Sequence, residues 1–277
     1  MATTEAIDLE TGTDELLAAL HGNVAVVTLN RPQARNSLSD ILSPAFRQLL
    51  PKLADNPLVR CLMVTGAGTA FCAGGDVKGM GASAGQSKPR TREEIVEELR
   101  VRQITLTGAL YHFPKPTLAA LTGPAAGAGL SIALACDLRI AAASAFVTTG
   151  FANIGLSGDY GASFFLTQLV GSSRAKELFF SSERVGAERC EALGIVNRVV
   201  PDERLREEAL AWAHELAAGP TVAYGLMKQN LDRALRTDLE TCLAHEAEGL
   251  IACAGTEDHR EAVRSFVEKR KPVFKGK

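Results

Sequence analysis

The chain has no cysteines at CxxC spacing, no HExxH and no other ligand-like pairing among its five histidines, so a zinc site is not expected. Its six cysteines (Cys61, Cys72, Cys136, Cys190, Cys242 and Cys253) lie far apart in apolar contexts and read as free thiols in a reducing compartment. The phosphate-binding pattern GxxxxGK[ST] is absent, and so is GxGxxG with its ribose-binding acid about twenty residues on, which argues against a dinucleotide site. No apolar run approaches the roughly 20 residues of a membrane span. The opening Met1 to Ala6 has no basic segment ahead of an apolar stretch, so a secretory signal is not expected. Charge excess is missing too: Lys+Arg 30 against Asp+Glu 32 leaves −2, too weak a field to gather nucleic acid or an anionic membrane. What remains is a cytoplasmic globular chain of 277 residues, 46% hydrophobic and 22% charged, long enough to bury a full core.

Periodicity places the elements. The β-branched run Asn23 to Asn30 reads as a strand closed by the turn-prone Asn30-Arg31-Pro32. A helix capped by Ser39 follows, with Leu42, Phe46, Leu49, Leu50 and Leu53 at helical spacing. Pro57 ends it, and Val59 to Thr65 reads as the next buried strand, an α/β order. Gly79 to Thr91, rich in Gly, Ser, Lys and Arg, predicts a mobile surface loop, and helix resumes from Glu93 to Tyr111. Strands are expected at Thr117 to Leu121, Leu138 to Ala141 and Ile195 to Val200. Beyond about Arg204 the pattern is almost wholly helical, which divides the chain into a core over 1–203 and a helical region over 204–277.

Two glycine-rich turns stand out. Thr69 to Asp76 follows a strand, and Thr122 to Gly129 joins a strand to a helix. Small residues let a ligand approach the backbone, and unpaired N–H groups at a helix start favour a negative oxygen. Taken singly, each is equally a tight turn chosen for packing.

Together with two further segments they resemble the enoyl-CoA hydratase/isomerase (crotonase) superfamily over nearly the whole chain. Leu29 to Leu38 is similar to its opening motif, Phe71 to Asp76 and Gly123 to Asp137 to its oxyanion-hole loops, and Glu257 to Pro272 to its C-terminal signature. The resemblance implies an α/β spiral of ββα units with a helical C-terminal trimerisation region, in a homotrimer or a dimer of trimers. It implies an acyl-CoA substrate, with coenzyme A entering only as part of it and no tightly bound cofactor or metal. The thioester oxygen would accept hydrogen bonds from the main-chain amides of Ala73 and Ala128, which stabilise the enolate more than the ground state. Ala34, Arg35, Gly74 and Asp76 would line the substrate path. Phe266 and Lys269 resemble the pair that reaches a neighbouring subunit's adenine and phosphate, although Lys269 to Lys271 also reads as a solvated basic tail.

The chain departs from the typical hydratases where these carry two glutamates, because the matching positions are Ser131 and Phe151, neither of them a general base. Between Leu99 and Lys176 the only carboxylates are Asp137 and Asp159, and the only histidine is His112. Asp137, ending an apolar helix, reads as structural. Asp159, in the loop Gly155 to Gly161, reads either as a helix-start acid or as a catalytic group. The resemblance favours the second, since CoA isomerases of this superfamily, including ring-epoxide isomerases, carry an aspartate in a similar loop. Asp159 would then shuttle a proton along an unsaturated acyl chain, with Phe151 in an apolar pocket wall raising its pKa. The alternatives are a hydratase of fatty-acid oxidation, an aroyl-CoA dehalogenase, or a non-catalytic acyl-CoA or RNA binder. The dehalogenase is disfavoured by Phe151 and Ile104, where that branch carries tryptophan and histidine. The weak net charge argues against RNA.

Overall fold

The computed structural model describes residues 6–76 and 90–277. Three N-terminal strands, β1 (Ile7–Leu9), β2 (Leu16–His21) and β3 (Val24–Leu29), form an antiparallel meander. Helix α1 (Leu42–Asp55) follows and buries the five apolar residues of the spacing pattern, Leu42, Phe46, Leu49, Leu50 and Leu53. Each such side chain removes apolar surface worth about 1.5–3 kcal/mol. Ser39 Oγ accepts the Leu42 N–H at 2.9 Å, as the capping expectation required. Strand β4 (Cys61–Gly66) pairs parallel to β3.

Helix α2 (Arg92–Gln103) starts at Thr91, where the Thr91 hydroxyl accepts the Glu94 N–H and the Glu94 carboxylate accepts the Thr91 N–H. Of the mobile loop expected over Gly79 to Thr91, residues 79–89 lie outside the described residues, and Thr91 caps helix α2. Helix α2 then widens into a π turn, Ile104–Gly108, before a last helical turn, Ala109–Tyr111. Strands β5 (Thr117–Leu121) and β6 (Ala125–Ala126), helix α3 (Ala128–Ala135), strands β7 (Leu138–Ala142) and β8 (Phe146–Thr148), and helix α4 (Ala162–Ser181), broken at Gly171, come next. Strand β9 (Val185–Gly186), helix α5 (Ala187–Ala192) and strand β10 (Arg198–Val200) complete the sheets.

The large sheet runs β1-β2-β3-β4-β5-β7-β10, and a smaller one runs β6-β8-β9. Isolated bridges, Leu38 to Gly75 and Cys72 to Ala125, continue the smaller layer backward along the chain. Each turn of chain therefore gives one strand to the large sheet, one short extended piece to the second layer, and one helix. That repetition is the spiral of ββα units that the resemblance implied. Four helices close the chain: α6 (Leu205–Ala217), α7 (Thr221–Ala234), α8 (Leu239–Ala254) and α9 (Glu257–Val267). Helix α6 packs on β3, β4, β5 and β7 and buries Ala209, Trp212 and Ala213. The central strands are buried along both faces, as their unbroken apolar runs demand.

The two glycine turns meet where the second layer passes through Cys72 and Ala125. The fit tolerates no side chain: a Cβ on Gly129 would lie 2.2 Å from Cys72 O, and one on Gly74 would lie 2.7 Å from Ala126 O. Asn36, fully buried, ties the opening motif to the first turn by donating to Ala67 O (2.9 Å) and Ala70 O (2.7 Å).

Candidate active site

Cys72 bonds to both sides of Ala125, accepting from Ala126 N and donating to Pro124 O. Two residues further on, this ladder opens because α3 begins at Ala128. Gly127 stands at φ 51°, and the Ala128 N–H, the first of the helix, has no acceptor among the described residues. The macrodipole adds partial positive charge at that point.

On the facing strand the amide that remains open is not the anticipated one. Ala73 N–H donates to Arg35 O at 2.9 Å, and Ala73 is exposed outside the cavity. The Gly74 N–H turns toward Cys72 Sγ. The reason lies at Gly74, whose φ of 92° reverses the alternation of an extended strand. Ala73 N–H and Gly74 O both face the 35–38 segment, and the Gly75 N–H is turned away from it, toward the side where α3 begins. Gly75 has no acceptor among the described residues and lines a cavity of about 290 Å³ together with Ala128. The orphan donors of the splayed ladder are thus Gly75 and Ala128. Sequence reasoning missed Gly75 because only a backbone angle distinguishes it from Ala73.

The same cavity is lined by Leu38, Leu99, Asp159 and Tyr160, and by Asp40, Arg47 and Arg102. Asp159 is half-buried. Its Oδ1 accepts Gln103 Nε2–H at 2.7 Å and its neighbour's Tyr160 N–H at 2.8 Å. Burial pushes its carboxyl above the ordinary aspartate value, and these two donors pull against that rise. Asp40, the other carboxylate of the lining, has a side chain 94% exposed.

Ser131 is fully buried, and its hydroxyl donates to Asp159 O at 2.9 Å, so it anchors the loop that carries the acid. Phe151 does not line the cavity; it stacks on Phe179 with centroids 6.0 Å apart, and Leu38, Leu99 and Tyr160 supply apolar wall instead. Asp76 forms an ion pair with Arg31 at 3.2 Å, bracing the first turn. Ala34 ends a 3₁₀ turn, Arg35 is exposed at φ 49°, and Phe266 is 85% exposed on α9 near the exposed Lys269. Asp137 is structural, as its position at a helix end suggested: its Oδ2 accepts from Thr117 N (2.8 Å) and Thr117 Oγ1 (2.9 Å), and its Oδ1 pairs with Lys228 at 2.6 Å. No motif or spacing marks Lys228 as the residue that ties α7 to this end of the sheet. Among the described residues no cluster of metal-binding side chains occurs, and no helix is long and apolar enough to cross a membrane.

A family profile described as enoyl-CoA hydratase/isomerase matches residues 19–277. The chain is 34% identical over 269 residues to 1,2-epoxyphenylacetyl-CoA isomerase of Escherichia coli K12, covering 95% of this chain and 98% of that one. It is 36% identical to a probable enoyl-CoA hydratase of Rhodobacter capsulatus, covering 92% and 95%. The crystal structure of a putative enoyl-CoA hydratase from Streptomyces coelicolor superposes with a TM-score of 0.89 at 32% identity over all of both chains. The splayed ladder, the spiral fold and these likenesses agree that the chain belongs to the enoyl-CoA hydratase/isomerase family and is an enzyme of the crotonase superfamily.

Proposed function

We propose that the protein is an acyl-CoA isomerase in which Asp159 alone moves a proton between carbons of an unsaturated or ring-bearing acyl group. The thioester oxygen sits between the Gly75 and Ala128 amides, which stabilise the enolate formed when a carbon-bound proton leaves. Asp159 takes that proton and returns it to another carbon, so no water is consumed. The observation that carries this reading is that Asp159 is the one half-buried carboxylate lining the cavity among the described residues, with buried Ser131 and Phe151 where the resemblance puts the two glutamates of a hydratase. Its raised pKa favours the acid form that hands the proton back. Coenzyme A belongs to the substrate, no bound cofactor takes part, and the exposed apolar faces of α8 and α9 suit burial against neighbouring copies in a homotrimer or a dimer of trimers.

Asp159→Asn tests the reading. The variant should lose turnover of 3-enoyl-CoA esters by about 10³-fold or more while its calorimetric affinity for a CoA ester stays unchanged. Turnover near that of the parent would refute it.

A further inference from the structure

Asp159 is gripped on one oxygen and open on the other. Gln103 Nε2–H (2.7 Å) and Tyr160 N–H (2.8 Å) both end on Oδ1, and Oδ2 accepts nothing among the described residues. We infer that Gln103 is the positioning residue of the site: its amide fixes the Asp159 carboxylate so that Oδ2 faces the acyl chain and carries the proton. The inference rests on the isomerase reading above. In the step itself a substrate C–H bond breaks and an Oδ2–H bond forms, with the electron pair passing to the thioester enolate. The Oδ2–H bond then breaks as a C–H bond forms at a second carbon.

The helix is built to present this side chain. Gln103 is the last residue of α2 before the π turn Ile104–Gly108. In an unbroken α-helix it would fall in one stripe with Leu106 and Leu110, three and seven residues on. Both of those are fully buried. The wider turn shifts the register, leaving Gln103 half-buried beside the 155–161 loop and the two leucines in the core. The Thr107 hydroxyl, buried, donates to Gln103 O at 3.2 Å and pins the backbone at the junction. A free carboxylate rotates about its own bond; one held by two donors on the same oxygen presents the other oxygen in one direction.

Gln103 also lines a second cavity of about 280 Å³, together with Ile104, Thr107, Tyr111, Gly161 and Phe164 among others. The charged and titratable groups around Asp159 are Tyr160 on its own loop, Arg102 on α2, and Arg47 and Asp40 on and beside α1. Arg100, His112 and Arg236 line the second cavity. Among the described residues, only Gln103 Nε2 and the Tyr160 amide donate hydrogen bonds to the carboxylate.

The test compares Gln103→Leu, which keeps bulk and removes the donor, with Gln103→Glu, which keeps shape and adds a second acid. Asp159→Asn is measured alongside, following kcat and KM for 3-enoyl-CoA isomerisation across pH. For Gln103→Leu, kcat should fall by about 10- to 100-fold, with KM within about threefold. The acid limb of kcat/KM should move upward by about one pH unit, and further in Gln103→Glu. A residue serving packing alone would leave that limb in place. Parental kcat and an unmoved limb in either Gln103 variant, with Asp159→Asn inactive, would overturn the inference and leave the isomerase reading standing. An active Asp159→Asn would overturn both.

Discussion

Gly129→Ala isolates the contact between the two glycine turns. Alanine is the better helix former by about 1 kcal/mol, so propensity alone predicts a more stable α3. The close approach decides otherwise. The new Cβ would lie 2.2 Å from Cys72 O and 2.7 Å from Cys72 Cβ, whereas ordinary contact begins at 3.4 Å. One turn must retreat by about 1 Å, and Cys72 O cannot move without stretching its bond from Ala126 N–H, now 2.9 Å. Overpacking of this kind costs about 1–3 kcal/mol, which exceeds the helix gain. The larger effect falls on chemistry. The same displacement separates Gly75 from Ala128, and loss of one oxyanion donor removes about 2.7–4 kcal/mol of transition-state stabilisation, or about 10²–10³ in kcat. The assay is steady-state turnover of a CoA ester together with urea unfolding, with Gly186→Ala as the control. At Gly186 no atom lies within 4 Å of where a methyl carbon would stand, and φ is an ordinary −66°, so this substitution should leave kcat parental and cost at most the small N-cap preference of Gly over Ala in stability. A Gly129→Ala protein with parental kcat and parental stability would show that the turns are not held at this spacing.

The raised pKa of Asp159 predicts a pH profile and a stability trade. Because the carboxylate is the proton acceptor, kcat/KM should fall as pH drops through a value above the ordinary aspartate range. Burial favours the protonated form in the folded chain, so that stabilisation is complete below the unfolded-state value and is lost as pH rises through the folded one. Asp159→Asn should therefore melt higher than the parent at neutral pH, and the difference should vanish in acid; a lower melting temperature at neutral pH would contradict this. Lys228→Met leaves Asp137 without its cation. Breaking a fully buried pair costs about 3–5 kcal/mol, and with side chains 13% and 26% exposed the screened figure is about 2 kcal/mol. Denaturant unfolding of Lys228→Met against Lys228→Met/Asp137→Asn checks it, since the double variant should recover most of the loss.

Much of the fold is legible because periodicity survives packing. The five buried residues of α1 are the five that the helical spacing marks, and Thr117–Leu121 is the strand that its flanking prolines and turn delimit. The first hairpin is not legible, because β1 spans only three residues and β2, Leu-Leu-Ala-Ala-Leu-His, lacks β-branched residues; its pairing with β3 makes it a strand. At the site, the scarcity of carboxylates narrows the central region to Asp137 and Asp159, and the choice of Asp159, like that of Ala128, comes from the family resemblance. Gly75 is not legible, since its orientation depends on the positive φ of Gly74. Gln103 is hidden for a related reason: a regular helix would bury it in the core stripe, and no residue pattern announces the π turn that moves it out. The resemblance puts Phe151 in the pocket wall, yet it is outside the cavity lining, beside Gly127 and stacked on Phe179. Contacts set by one irregular backbone angle are the part that composition and spacing do not encode.

One carboxylate relocating a proton, with no water entering the product, has a simple signature in mass. The purified protein is incubated with a 3-enoyl-CoA ester and the product is weighed by mass spectrometry. A product of unchanged mass with its double bond moved into conjugation is expected, formed by the parent and not by Asp159→Asn. A product heavier by one water, formed equally well by both proteins, would contradict the single-acid isomerase.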